Sequence, residues 1–158
     1  MSHRSIKLAS LALVAAIAAT IAVVTAQSMT DQPAGMLPYK DASVVTRGEA
    51  LYAVHCASCH GADLEGEADW RSPGPDGKLP APPHDETGHT WHHPDAQLFQ
   101  ITKYGTEAMV GGSYRSNMIG FHDILTDAEI IAVLAFIKST WPEPIQARHT
   151  EMNRERGG

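Results

Sequence analysis

Polar and apolar positions alternate in short periodic stretches along most of the chain, separated by long aperiodic segments. Ala50, Leu51 and Val54 recur at helical spacing behind Thr46-Arg47-Gly48-Glu49, whose Thr and Glu three apart resemble a capping box. This predicts a first helix that starts near Thr46 and runs into Cys56-Ala57-Ser58-Cys59-His60-Gly61. A second helix is predicted from Pro94 or Asp95 to Tyr104. Leu98 and Ile101 or Thr102 line its face, Pro94 suits the first helical position and Gly105 stops it. The clearest pattern comes last. Thr126-Asp127-Ala128-Glu129 forms a capping box, Ile130, Val133, Leu134 and Ile137 make a buried stripe, and Trp141-Pro142 ends it. Gly61 to Pro94 is rich in Gly, Pro and Asp, and Thr106 to Leu125 is also irregular. No internal repeat or β-rich stretch occurs, so the expected fold is all-α, with three to four helices and long loops.

The first 26 residues differ from the rest. His3, Arg4 and Lys7 form a basic start, Leu8 to Ala26 is an apolar run without acids, and Val24-Thr25-Ala26 offers small residues to a signal peptidase. Residues 1–26 are therefore expected to be a signal peptide. The run is also close to the length of a bilayer span, so an uncleaved anchor through residues 8–26 is the rival. Both readings export the following domain, into the periplasm. Residues 27–42 read as a polar linker, and residues 142–158 as a charged tail, peripheral or frayed.

The formal charge is −6, and losing Arg4 and Lys7 with the leader would take it to −8. Phosphate repels such a surface, which argues against nucleic acid and suits basic protein partners. The chain has two cysteines, only three positions apart. A disulfide between them would close almost no loop and gain little entropy.

Cys56-Ala57-Ser58-Cys59-His60 is C-x-x-C-H, the haem-attachment pattern. Two thiols at this spacing can add to the two vinyl groups of one porphyrin edge, leaving the adjacent His60 beneath the iron. Its other ring nitrogen should donate to a carbonyl that fixes the ring, with Pro80, Pro82 and Pro83 as candidates. A thioredoxin-like redox pair would want a βαβ setting, and a structural zinc site would want four ligands. Neither context is present. The long loops then make sense as segments that pack on a cofactor.

From about Ser43 to Trp141 the chain resembles a class I mono-haem c-type cytochrome. The resemblance rests on the opening helix, on Cys56 to Gly61, on Asn117-Met118-Ile119-Gly120-Phe121 and on the closing helix from Asp127. It implies a cytochrome c-like domain over 43–141 holding one covalent haem c through Cys56 and Cys59. It also implies that the first and last helices cross, Gly48 and Tyr52 meeting the last near Ala132 to Phe136. A loop methionine then supplies the sixth ligand opposite His60. Met118, 8 residues before Thr126, is the choice over Met109, 17 before it. The family often shows Met-Pro-x-Phe at this point; here Met118-Ile119-Gly120-Phe121 keeps Met and Phe without the proline.

His84, His89, His92 and His93 crowd one loop. They could bind copper or zinc, ligate the iron, touch the haem propionates, or serve as ordinary loop residues bonded to backbone. Trp70, Trp91, Phe99, Tyr114 and Phe121 are candidates to pack on the porphyrin, Arg71 to reach a propionate, and Asn117 to orient the Met118 sulfur. The expected function is one-electron transfer, Fe(III)/Fe(II), between transient redox donors and acceptors, without enzymatic turnover. The alternatives are a haem domain with an open or displaceable sixth position, sensing gas or serving an enzyme, and a copper-handling cytochrome built on His84 to His93.

Overall fold

The computed structural model describes residues 37–156. The signal or anchor and most of the linker lie outside the described residues. Asp41 starts the first helix, α1 (Ala42–His55), because its carboxylate accepts from the Ser43 and Val44 amides at 2.9 and 3.3 Å and from the Ser43 hydroxyl at 2.7 Å. The start is thus four residues before the one the sequence suggested. Thr46 and Glu49 lie inside the helix, and an ionised cap reinforced by Ser43 takes the role assigned to them. Cys56 breaks the helix, and α2 (Ala57–His60) follows after that single kinked residue.

A 3-10 turn at Thr90–His92 leads into α3 (Asp95–Tyr104), which Gly105 ends as expected, with Pro94 as its cap and not its first residue. A short helix not foreseen in the sequence, α4 (Thr106–Val110), follows directly. α5 (Asp127–Thr140) carries the full capping box, with Thr126 and Glu129 bonded reciprocally. Those bonds, with Arg47 at 3.0 Å, hold the Glu129 carboxyl at about 2, well below the usual range. The residues after Pro142 form α6 (Glu143–Glu155), where a peripheral tail was expected. Among the described residues, six helices therefore stand where three or four are expected from the sequence, and no strand occurs.

α1 and α5 make the main helix crossing. A Cβ on Gly48 would collide with the Ala132 carbonyl and lie 2.9 Å from the Phe136 Cβ, so only glycine allows this approach. The Tyr52 ring meets Phe136 at 5.5 Å and its hydroxyl donates to the Gly61 carbonyl at 2.9 Å. Ile130, Val133, Leu134 and Ile137 are all buried, with Leu98, Phe121, Leu125 and Trp141 around them. Burial of each such side chain contributes about 1.5–3 kcal/mol.

α6 is held by polar groups. His149 and Asn153 are its buried residues. Asn153 exchanges bonds with Asp95 at the start of α3, its Oδ1 accepting from the Asp95 amide at 2.7 Å and its Nδ2 donating to Oδ1 at 3.2 Å. His149 Nε2 donates to the His93 carbonyl at 2.9 Å. From the other side of Asp95, Oδ2 accepts the Leu37 amide at 2.9 Å, which anchors the segment before α1. No helix among the described residues is long and apolar enough to cross a membrane.

Candidate haem site

The kink at Cys56 presents the attachment motif. Cys56 and Cys59 are both free thiols, the first partly buried and the second exposed. Burial, and then the neighbouring Cys59, push the Cys56 thiol up to about 11. A redox-active cysteine needs the opposite shift, so Cys56 does not have the electrostatics of a thioredoxin-like nucleophile.

His60 is buried, and its Nδ1 lies 2.8 Å from the Pro82 carbonyl. An unprotonated Nδ1 would set two lone pairs against each other, so Nδ1 carries the hydrogen and Nε2 keeps the ligating lone pair. Of the three carbonyls suggested by the sequence, Pro82 provides the contact. Burial lowers the His60 pKa, the bond to Pro82 and the Glu67 charge opposing it, and this favours neutral imidazole.

The loop from Gly61 is pinned along its length. Gly66 N–H donates to the His60 carbonyl at 2.8 Å, Glu67 N–H to Ala81 at 2.8 Å, and His84 N–H to Leu64 at 2.8 Å. His84 lies face to face with His60, ring centroids 3.9 Å apart and planes at 23°. The other loop histidines disperse. His89 stacks on Trp70, His92 stacks on Trp91, and His93 meets His89 only edge-on. No group of three or more His, Cys, Asp or Glu among the described residues is placed to hold a metal ion, so the copper or zinc cluster finds no support.

Met118 is partly buried against the hydrophobic core, whereas Met109 is exposed. Its segment is fixed at both ends. Upstream, Met118 N–H donates to the Ser116 hydroxyl at 3.0 Å, and Ser116 N–H to Glu107 of α4 at 2.8 Å. Downstream, Gly105 and Gly120 let two backbones touch: a Cβ on Gly120 would lie 2.7 Å from the Tyr104 carbonyl carbon, and one on Gly105 2.8 Å from the Gly120 nitrogen. Phe121 and His122 then donate to Thr102 and Lys103 at 3.0 Å each. The Phe121 ring meets His55 edge-on at 6.4 Å, which sets the Met118 segment beside the residue that precedes Cys56.

Asn117 Oδ1 accepts from Lys78 Nζ at 2.6 Å, so this side of its amide is not directed at the neighbouring sulfur. Neither this tie nor the Glu107–Ser116 bond had a signal in the sequence. Arg71 lies over the Trp70 ring at 4.0 Å. Trp91 and Phe99 are partly buried on the core, Phe121 is inside it, and Tyr114 is half-buried.

These residues fit a covalently attached haem. Two free thiols precede a buried imidazole whose Nδ1 is already bonded. The Lys78–Asn117 and Glu107–Ser116 contacts also tie together α4, which bears the exposed Met109 and Val110, and two loops, which bear the exposed Leu79 and Ile119; Val110 and Ile119 are 60% and 57% exposed. Apolar surface concentrated in this way marks a binding face.

The site and the helical fold thus define a covalent haem protein. Comparison with known families agrees: the family model for cytochrome c matches residues 45–141, and the chain belongs to the cytochrome c family. Its cofactor is covalently bound haem c. Among solved structures, cytochrome CL from the marine methylotrophic bacterium Methylophaga aminisulfidivorans is similar, with a TM-score of 0.51 and 25% identity, covering 77% of this chain and 70% of that one. The comparison with curated proteins returned no match. α6 lies beyond the family match.

Proposed function

We propose that this protein is an exported one-electron carrier in which Cys56 and Cys59 form the thioethers and His60 and Met118 are the axial ligands. The observation that carries the reading is the His60 Nδ1 bond to Pro82 at 2.8 Å, since it fixes the tautomer that leaves the Nε2 lone pair free for the iron. When bound, the haem supplies an iron that cycles between ferric and ferrous states. The protein's part is to hold still. His60 is tied to the loop, Met118 to α3 and α4, and the α1–α5 crossing joins these regions, so little structure reorganises when charge changes.

A thioether is a soft, neutral ligand that favours ferrous iron and raises the potential relative to two histidines. Two protein ligands leave the iron no open position, which supports a carrier over a gas sensor or an enzyme subunit. A formal charge of −6 favours a basic redox partner, met in a small transient interface. Residues 1–26 fit export to the periplasm, with cleavage or anchoring at the membrane.

Absorption spectra of the purified holoprotein test the ligation. The ferric form should show the weak far-red band of sulfur-bound haem, and Met118→Ala should lose it while Met109→Ala keeps it. Rapid binding of carbon monoxide by the ferrous wild type at neutral pH would overturn the carrier reading. An intact mass that includes one haem and starts at Gln27 would establish cleavage.

A further inference from the structure

We propose that His84 is a positioning residue for the His60 imidazole, its ring face fixing the rotation that the Pro82 hydrogen bond leaves free. The inference rests on His60 being an axial ligand. One hydrogen bond at Nδ1 tethers the His60 ring at a point, about which it can still pivot. A flat ring 3.9 Å away and inclined by 23° removes that freedom by steric contact. His84 is itself unusually constrained. Its amide donates to Leu64 at 2.8 Å and its carbonyl accepts the Trp141 indole N–H at 2.7 Å. Its Nδ1 lies 2.8 Å from the Thr90 hydroxyl, whose oxygen lies 3.5 Å from the Pro83 carbonyl. With the Thr90 proton directed at Pro83, the His84 Nδ1–H donates to Thr90 and the ring plane is set. The Tyr52 ring edge at 6.4 Å borders it.

The hold extends to α6. Trp141 packs edge-on against His149 with centroids 5.0 Å apart, and its carbonyl accepts from Gln146 Nε2 at 2.9 Å. A helix beyond the family match thereby steadies the indole that fixes His84. The orientation of an axial imidazole determines which iron d orbital holds the unpaired ferric electron, and the spread of the haem methyl NMR shifts reports it. His84 thus acts on the electronic state through packing, without touching the iron.

The test compares His84→Phe, which keeps a flat ring, with His84→Leu, which keeps bulk without planarity. Both are studied as ferric holoproteins by proton NMR and by midpoint potential, with far-UV dichroism and haem content as controls. The expected result is a wild-type methyl pattern and potential in His84→Phe, and a rearranged methyl pattern with a shifted potential in His84→Leu at unchanged haem content. Wild-type values in His84→Leu would overturn the proposal, as would equal disturbance by both variants. If either variant fails to fold, Trp141→Phe, which removes the indole donor to His84 together with one ring of a core side chain, must move the methyl pattern; an unmoved pattern overturns it. Wild-type protein without strongly shifted axial imidazole protons would instead refute His60 as a ligand, a separate failure.

Discussion

Removing the Asp95 carboxylate should be among the most damaging single changes away from the haem. Asp95 is 4% exposed and joins three segments, its own helix α3, the stretch before α1 and α6: it accepts the Leu37 amide, exchanges bonds with Asn153, and lies 3.6 Å from His149 Nδ1. It is also a counter-charge for Lys138, which is fully buried, has no hydrogen-bond partner for its ammonium among the described residues, and stands 4.5 Å over the Tyr39 ring. Burial drives the Asp95 pKa up and the Lys138 pKa down, while the attraction between them opposes both shifts. In Asp95→Ala the ammonium remains buried without its counter-charge, a loss of about 3–5 kcal/mol. The orphaned Leu37 amide adds about 1–3 kcal/mol, partly overlapping because the segment can move to water.

The expected total is about 4–6 kcal/mol, a large share of the roughly 5–15 kcal/mol that stabilises an ordinary domain. Guanidinium unfolding of the ferric holoprotein, followed by far-UV dichroism, measures it. If the ammonium is the main source, adding Lys138→Met to Asp95→Ala should recover at least about 2 kcal/mol, because an apolar chain of similar length suits the site. A loss below about 1.5 kcal/mol for Asp95→Ala would refute the argument. So would a double variant no more stable than the single one.

Gly48→Ala should cost about 1–3 kcal/mol despite its gain in helix propensity, because the new methyl meets the Ala132 carbonyl; a denaturation midpoint at or above wild type would contradict this. Gly120→Ala should push the Met118 segment off the end of α3 and weaken the far-red ferric band, and an intact band would show that the segment is placed by something else. Burial lowers the His149 pKa, so between the ordinary value near 6.5 and the lower folded value the unfolded chain takes a proton that the folded one refuses. Stability should therefore fall as pH drops below 6.5, and His149→Gln should reduce the loss between pH 6.5 and 5.5 by up to about 1 kcal/mol. Identical pH slopes for the two proteins would sink that assignment.

The parts legible in the sequence are those whose signal is local. The closing helix is set by a capping box and an apolar stripe within one short stretch, and both survive into the structure unchanged. The attachment motif and the close approach at Gly48 were readable for the same reason, the latter with the help of family resemblance. α1 starts earlier than its pattern suggests because two caps compete, and an aspartate supported by Ser43 outranks a threonine five residues later. His84 was visible only as one histidine of four. Its contact with His60 depends on the path of a loop tied down by Leu64 and Trp141, far away in sequence. α6 is the instructive failure. Its buried residues are His149 and Asn153, which look solvated in any reading based on hydropathy. What makes them interior residues is a set of partners at Asp95 and His93, more than fifty positions upstream. A polar side chain is buried when its hydrogen-bonding groups are met there, so its burial is written in the partner and not in the residue itself. The charged composition that suggested a frayed tail therefore belongs to a helix that locks the start of α3, the 3-10 turn and the segment before α1 to one carboxylate.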